Sequence, residues 1–390
     1  MARTREKRIK KQEDKRKSLR RKKIMLLLLI VIIVASIIII YFTKIHEGSY
    51  MSYKVLTSKE YTDDMGTGSL SYGNKLVLYN RNGVAAYNKE ASPIWKSSFE
   101  MVDPIGDVCG DYLVIADRGN NLVQIFNQKG LEGEIIITRD IVKVQVARQG
   151  VVAVLSEDKD SNYINIYNKE GTELVDARVT NVSKEGYPID IALSDDGKKL
   201  VVSYITVNQG RLISHLAFYN FGGVGQNEPG RLVAGVPYED IVIPRVVFLN
   251  NDYVCVYKED SVMLFIMEEI PELVAEDTFE EKIISVLYDE KHFGLVLESS
   301  DTLHKRLLLY NLNGEKVLDK EIDFAYDKVF LFGEEIIFHD NLSVLILKIN
   351  GSEKFSYKFS TNISALYPIN RLDRYYLVGT EKIDSIQLLQ

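Results

Sequence analysis

A sequence pattern that recurs about every 40 residues constrains the fold of this 390-residue chain more than any other feature. In each copy, a short apolar run ends in an aromatic residue and an asparagine, and a turn sequence follows. Asparagine and glycine tolerate the left-handed backbone conformations that reverse a chain between antiparallel strands. The pattern therefore predicts turns between paired strands, with the asparagines as turn formers. Five clear copies and a weaker last one place this asparagine at Asn88, Asn127, Asn168, Asn220, Asn311 and Asn350.

The spacing of these asparagines predicts the number of repeats. Successive positions differ by 39, 41, 52, 91 and 39 residues, and the interval of 91 fits two units with a degenerate copy near residues 265–267. A second apolar run precedes the patterned one in each copy, and further runs flank the pair. Four strands in about 40 residues are typical of a β-propeller blade. We therefore predict an all-β fold, an eight-bladed β-propeller; seven blades stay open because one copy is degenerate and the fourth is long.

The C-terminus predicts how the ring closes. After Asn350 the next asparagine position would fall near residue 390, so the last blade has three strands of its own. Residues 50–61 form an otherwise unpaired strand that can supply the fourth. Pairing the first and last segments leaves no open sheet edge with unpaired backbone groups. We therefore assign residues 51–390 to a propeller closed by strand 50–61, which pairs with the C-terminal blade.

The N-terminal 50 residues have a different character. Residues 24–42 are uncharged and mostly aliphatic, and as a helix they would span about 28 Å, close to the thickness of a bilayer core. Residues 1–23 carry thirteen Lys and Arg against three acids. Basic segments stay on the cytoplasmic side, which predicts a cytoplasmic tail (1–23), a transmembrane helix (24–42), a linker (43–50) and an extracytoplasmic domain. A cleaved signal peptide is the alternative, but no small-residue cleavage site follows the apolar run.

The charge of the chain bears on its partners. The net charge is −7 overall, and removing the tail, with its balance of about +10, leaves about −17 on the remainder. Such a domain should repel anionic polymers and attract cationic proteins or metal ions in a salt-sensitive manner. We therefore expect no nucleic-acid partner. The expected contacts are the lipid bilayer, through residues 24–42, and a protein partner at the cell envelope.

Motifs that would identify an enzyme are missing from the sequence. The stretch Gly222–Gly225 lacks the Lys-Ser/Thr of a phosphate-binding loop. The five histidines fall in different repeats without metal-ligand spacing. We expect Cys109 and Cys255 to be two separate buried thiols, and adjacent acids such as those at 334–335 to be surface turn residues. The prediction is therefore no catalytic residue, no metal ligand and no cofactor.

Two resemblances agree with the predicted fold. The segment Ile191–Val202 resembles the S-x-D-G-K-x-L hairpin of TolB-like and WD40-like propellers. The basic tail, the apolar segment, the repeats and the stretches Phe218–Gln226 and Val242–Leu249 together resemble an uncharacterised family of single-pass, membrane-anchored β-propeller proteins from Gram-positive anaerobes. This resemblance implies a fold and a topology, and it implies no activity.

The fourth repeat, from Tyr187 to about Pro237, is longer than the others. Loops on a rigid scaffold are where binding usually occurs, so this blade is the candidate partner-binding region. The main hypothesis is a non-enzymatic interaction or scaffold module at the cell envelope. The alternative is a propeller enzyme or small-molecule sensor that uses the central channel, and inward polar residues with shifted pKa values would favour it. The candidate partner-binding residues are Asn208, Gln209, Phe221, Gln226, Asn227 and Glu228.

Overall fold

The computed structural model describes residues 49–61, 68–299, 304–370 and 372–390, together with Met25, residues 32–34 and Ser36. The basic tail and most of the predicted transmembrane segment lie outside the described residues. Among the residues that are described, no helix is long and apolar enough to cross a membrane. Tyr50–Leu389 form one compact unit.

The described chain contains 32 strands in eight four-stranded antiparallel sheets, so the prediction of eight blades is confirmed. Blades one and two comprise β2 (Gly68–Tyr72), β3 (Lys75–Asn80), β4 (Gly83–Tyr87), β5 (Pro93–Ser98), β6 (Pro104–Cys109), β7 (Tyr112–Asp117), β8 (Leu122–Asn127) and β9 (Gly130–Ile136). Blades three and four comprise β10 (Asp140–Val146), β11 (Val152–Glu157), β12 (Ser161–Tyr167), β13 (Glu173–Asn181), β14 (Tyr187–Leu193), β15 (Lys199–Asn208), β16 (Arg211–Asn220) and β17 (Leu232–Glu239). A one-turn helix, α1 (Val182–Glu185), connects these two blades.

Blades five and six comprise β18 (Arg245–Phe248), β19 (Tyr253–Tyr257), β20 (Ser261–Met267), β21 (Pro271–Thr278), β22 (Lys282–Tyr288), β23 (His292–Glu298), β24 (Lys305–Asn311) and β25 (Lys316–Ile322). Blades seven and eight comprise β26 (Lys328–Phe332), β27 (Glu335–His339), β28 (Ser343–Lys348), β29 (Glu353–Lys358), β30 (Ile363–Pro368), β31 (Arg374–Gly379), β32 (Lys382–Leu389) and β1 (Ser52–Glu60). The degenerate repeat corresponds to β20, which contains residues 265–267.

Blade eight is built from both ends of the domain. Its strand order is β1-β32-β31-β30, and β1 pairs antiparallel with β32 from Ser52 opposite Leu389 to Glu60 opposite Lys382. One bulge interrupts this ladder between Val55 and Thr57. The outer edge of β32 is therefore covered by β1, which is the outermost strand of blade eight.

The hydrophobic core lies between neighbouring blades rather than at the axis. One cluster joins Leu155 of blade three to Val202 of blade four, and equivalent clusters occur around the ring. The two middle strands of each blade are buried on both faces, as Leu113 to Ala116 of β7 illustrate, so they read as continuous apolar runs. Full burial of a large aliphatic side chain stabilises the fold by about 1.5–3 kcal/mol, and each interface contains many.

The repeated asparagines have the role that the sequence predicts. The side-chain oxygen of Asn88 accepts hydrogen bonds from the backbone N–H groups of Glu90 and Ser92, at 3.1 and 2.9 Å. Asn168 and Asn311 do the same after β12 and β24. Each caps the turn between the third and fourth strands of its blade, which explains the period of the pattern.

Three side chains that bear on the sequence predictions differ in burial. Cys109 and Cys255 are both free, but only Cys255 is fully buried, whereas Cys109 is half-buried. Glu335 was expected to be a surface turn acid, and this expectation is wrong, because its side chain is buried at the start of β27. It forms an ion pair with Lys354, which explains how a carboxylate is accommodated there.

Candidate functional site

The hairpin β15–β16 of blade four separates the six sequence-predicted residues into two groups. The two strands pair without interruption from Lys199 opposite Asn220 to Asn208 opposite Arg211. Asn208 and Gln209 are exposed at the hairpin tip, where Gln209 has a left-handed backbone with φ of 51°. Nine residue steps of about 3.3 Å put this tip about 30 Å from the other end of the strands. The structure therefore does not bring these two residues together with the other four.

The remaining four residues lie in the loop 221–231, between β16 and β17. The loop contains two 3-10 turns, Gly225–Asn227 and Pro229–Arg231. A methyl group on Gly225 would lie 1.7 Å from the Asn220 carbonyl oxygen, so only glycine fits this close approach. Phe221 donates its backbone N–H to the Lys198 carbonyl and packs on the apolar cluster between blades three and four. The loop is therefore held firmly against the blade.

This loop covers a cavity of about 550 Å³ against blade three, called here the loop pocket. Phe221, Gln226 and Glu228 line it, whereas Asn227 is exposed beside it. The apolar part of the lining comes from side chains of β12, β13 and β15, and two guanidinium groups add charge. These charged groups belong to Arg178 and Arg231.

The two arginines differ in their contacts. Arg178 donates from Nη2 to Glu185 at 3.1 Å, but its buried Nε has no hydrogen-bond partner among the described residues. Arg231 follows Gly230 in a left-handed conformation with φ of 60°, which is uncommon for a residue with a side chain. The loop pocket therefore combines an apolar surface with guanidinium groups that can donate hydrogen bonds to an anion.

A second cavity, of about 810 Å³, lies in the central channel. First strands of neighbouring blades lie side by side nearest the axis, as β2, β6, β10, β14 and β18 do in succession. Blades one, two, six, seven and eight line the cavity, and aromatic rings cover much of it. Phe332 lies between Phe330 and Tyr367, at centroid distances of 5.9 and 5.7 Å, and Tyr79 adds a fourth ring.

Polar side chains occupy the first strands of the consecutive blades two to six, and we call this group the polar arc. Lys143 pairs with Asp190, which also accepts the Val246 backbone N–H at 2.9 Å. The guanidinium of Arg245 lies 3.9 Å from Asp190 and donates to the Tyr288 hydroxyl at 2.8 Å. The members of the polar arc are Asp107, Lys143, Asp190, Arg245 and Tyr288.

Burial shifts the titration of two members of the polar arc. Loss of hydration raises the pKa of Asp107, although the Val146 N–H and the charges of Lys143 and Arg245 oppose the shift. Loss of hydration also lowers the pKa of Lys143, against the attraction of Asp190. Sequence reasoning missed this arc, because its members are 36 to 55 residues apart. One pattern in the sequence could have revealed the arc: a single charged residue lies between apolar neighbours in the first strand of successive blades. Examples are Val142-Lys143-Val144 and Ile189-Asp190-Ile191.

One mouth of the channel is partly bridged by turns from different blades. Arg148, in the turn after β10, contacts Asp195 of the next blade and Glu290 of blade six, each at 2.7 Å. A cavity of about 530 Å³, the mouth cavity, lies on the opposite side of this opening. It shares Ser71 and Phe332 with the channel cavity, so the two cavities are adjacent.

Within the described part of the chain, no group of three or more His, Cys, Asp and Glu side chains could hold a metal ion. The sites that the structure offers are therefore the loop pocket and the channel with its mouth. Both combine apolar walls with charged side chains, which is typical of ligand sites in proteins.

Comparison with solved structures supports the fold. The Dos1 propeller superposes with a TM-score of 0.57 at 11% identity, over 86% of this chain and 95% of that one. AztD of Citrobacter koseri gives a TM-score of 0.51 at 10% identity, over 76% and 87% of the two chains. At these identities the likeness concerns the fold alone.

No curated protein matches the sequence. A family profile does match, over residues 46–388, which cover the described propeller almost completely. The chain therefore belongs to the family described as "Family of unknown function (DUF5711)".

Proposed function

We propose that this protein is a non-enzymatic interaction module, anchored in the cell membrane with its propeller outside, and that the loop 221–231 of blade four presents the partner surface. The loop pocket is the observation that supports this proposal. It is a formed cavity at the edge of a rigid ring, and three of the sequence-predicted residues line it. Broad faces and exposed loops suit a propeller to partner recognition.

The anchoring part of the proposal rests on the sequence. A basic segment and an uncharged apolar segment precede the propeller, with a linker of only about eight residues before Tyr50. Such an arrangement would hold the propeller close to the external surface of the cell membrane, with the tail on the cytoplasmic side. The family resemblance adds a Gram-positive anaerobe as the expected source.

The chemistry of the loop pocket indicates what the partner would present. Apolar side chains such as Ile166 and Val175 suit an aliphatic or aromatic side chain. Arg178 and Arg231 suit a carboxylate next to it, because a guanidinium binds a carboxylate through paired hydrogen bonds. Gln226, Asn227 and Glu228 form the polar rim. The partner segment would therefore be a short apolar sequence followed by an acidic residue.

Affinity capture from detergent-solubilised native membranes tests the proposal. The full-length protein should retain a specific partner, and deletion of residues 223–230 should abolish capture without loss of folding. Arg211→Ala is the matched control, because Arg211 is an exposed residue at the opposite end of the same hairpin. If the deletion and the control retained the same proteins as the wild type, the loop would not be the partner surface.

The location needs a separate test. Protease added to intact cells should degrade the propeller if it is extracytoplasmic, whereas a cytoplasmic marker should survive. Protection of the propeller until the cells are lysed would contradict the proposed placement.

A further inference from the structure

The central channel holds a cavity of about 810 Å³ that the proposed function does not use. This cavity and the mouth cavity are adjacent, because Ser71 and Phe332 line both. The channel cavity is by itself ample for a ligand of ordinary size. The lining chemistry then decides which class of ligand fits.

The mouth cavity is acidic. Asp289, Glu290 and Glu334 line it, and Lys291 is the one Lys or Arg in its lining. Glu290 and the buried Glu335 are excluded from this balance, because Arg148 and Lys354 pair with them. Asp289 and Glu334 against Lys291 still leave the lining with a net negative charge. Beyond the basic tail, the chain has a net charge of about −17. A mouth of this kind concentrates cations and excludes anions at low ionic strength.

The interior presents aromatic faces next to a carboxyl group. Phe330, Phe332 and Tyr79 are half-buried and line the same cavity as Asp107. Aromatic faces attract organic cations, and a nearby carboxylate adds a charge-assisted contact. The two cations of the polar arc are already engaged, Lys143 by Asp190 and Arg245 by the Tyr288 hydroxyl. Asp107 is therefore the acid of this cavity that can receive a further cation.

The position of Lys328 makes the two ends of the cavity differ in charge. It is the first residue of β26, whereas Phe332 is the last and borders the mouth. Four residue steps of about 3.3 Å separate these positions by about 13 Å. The exposed ammonium of Lys328 would repel a cation, so the charged group of a cationic ligand would lie away from Lys328.

We propose that the central channel is a binding site for a small organic cation, an ammonium group on an apolar or aromatic body, held between the Phe330–Phe332 rings and the Asp107 carboxylate. The site lies inside the ring and the loop pocket lies at its edge. The proposal is therefore independent of the partner surface on blade four.

Calorimetric titration of the detergent-solubilised full-length protein tests this site. The probes are benzyltrimethylammonium and phenylacetate, which have the same ring and opposite charges. The cation should bind saturably and lose affinity with added salt, whereas phenylacetate should not bind. Absence of saturable cation binding, or equal binding of both probes, would overturn the proposal.

Variants locate the bound cation. Asp107→Asn should weaken binding about tenfold or more, since it removes a charged acceptor. Phe330→Leu should weaken it about threefold to tenfold through loss of the aromatic face. Lys328→Gln should tighten binding, because it removes a like charge. Asp103→Asn, at an exposed ion pair outside the channel, is the control and should leave affinity unchanged.

Asp107→Asn keeps an oxygen that can accept the Val146 N–H, so the variant should fold. Thermal unfolding checks this point, and Lys328→Gln and Phe330→Leu still test the site if Asp107→Asn does not fold. Unchanged affinity in folded Asp107→Asn, or weaker binding in Lys328→Gln, would place the cation elsewhere and refute the assignment.

Discussion

The Tyr375 hydroxyl donates a hydrogen bond of 2.6 Å to the Glu335 carboxylate, and the other carboxylate oxygen pairs with Lys354. All three side chains are buried, and they connect β27 and β29 of blade seven with β31 of blade eight. Tyr50, at the start of the propeller, donates its backbone N–H to the Lys354 carbonyl at 2.7 Å. This buried polar group therefore joins the entry of the chain to the blade that closes the ring.

Lys354→Met should destabilise the propeller strongly, by about 3–5 kcal/mol, because it leaves the Glu335 carboxylate buried without its counter-ion. Chemical unfolding of the detergent-solubilised protein measures the effect. Arg118→Met is the matched control, since it breaks an exposed pair with Asp103 and should cost about 1 kcal/mol or less. Equal effects of the two substitutions would mean that the buried pair contributes no more than a surface one.

The stability of the propeller should depend on pH through Asp107. Burial raises the pKa of this carboxyl above its ordinary value of 3.8, so the folded protein holds the proton more tightly than the unfolded chain does. This group contributes stability that is fully present below about pH 4 and is lost as pH rises through the folded pKa. Asp107→Asn cannot titrate.

The unfolding free energies of the wild type and Asp107→Asn, measured from about pH 4 to about pH 7, give the contribution of this carboxyl. The stability of Asp107→Asn relative to the wild type should increase as pH rises. Lys143 acts in the opposite direction at higher pH, because burial lowers its pKa and its stabilising contribution is lost as pH falls from 10.5. If the unfolding free energies of the two proteins changed in parallel over the acidic range, the pKa of Asp107 would not be raised by folding.

Removal of the strand β1 should expose the edge of β32 and promote association of the propeller. A chain that begins at Ser49 retains all eight pairs between Ser52–Glu60 and Lys382–Leu389. A chain that begins at residue 62 lacks them, and an unpaired strand edge is a template for pairing with other chains. Size-exclusion chromatography should show a monomer for the first chain and aggregates for the second. A monomeric, equally stable shorter chain would contradict the closing role of β1.

Gly225→Ala should distort the loop 221–231, because the added methyl group would meet the Asn220 carbonyl oxygen. We expect a loss of about 1–3 kcal/mol in stability and weaker partner capture. Gly223→Ala is the control in the same loop, since a methyl group there meets no atom within 4 Å. Thermal unfolding and affinity capture of both variants distinguish a local clash from a general intolerance of the loop.

Features that depend on local backbone chemistry could be predicted from the sequence. The turn asparagines and the apolar runs are set by contacts within one blade, and they gave the correct number of blades. The candidate residues of blade four were grouped because both segments are long loops. The length of the strands separates them, since two paired ten-residue strands put Gln209 and Gln226 at opposite ends of the hairpin.

Features that depend on contacts between blades could not be predicted in this way. Asp190 and Arg245 belong to different blades, and only the inward direction of the first strands brings them together. Glu335 appears in the sequence as one of two adjacent acids before an apolar run, with no indication of its partner. Lys354 lies 19 residues away, on a strand whose packing is decided by the neighbouring blade.

Because β1 pairs with β32, the ring closes only after Lys382–Leu389 have been synthesised. Lys382 lies about 320 positions after Glu60, so β1 stays without its ladder partner while blades one to seven are made. The nascent propeller therefore passes through a stage in which the ring is open. A premature stop before residue 382 would leave it permanently in that stage.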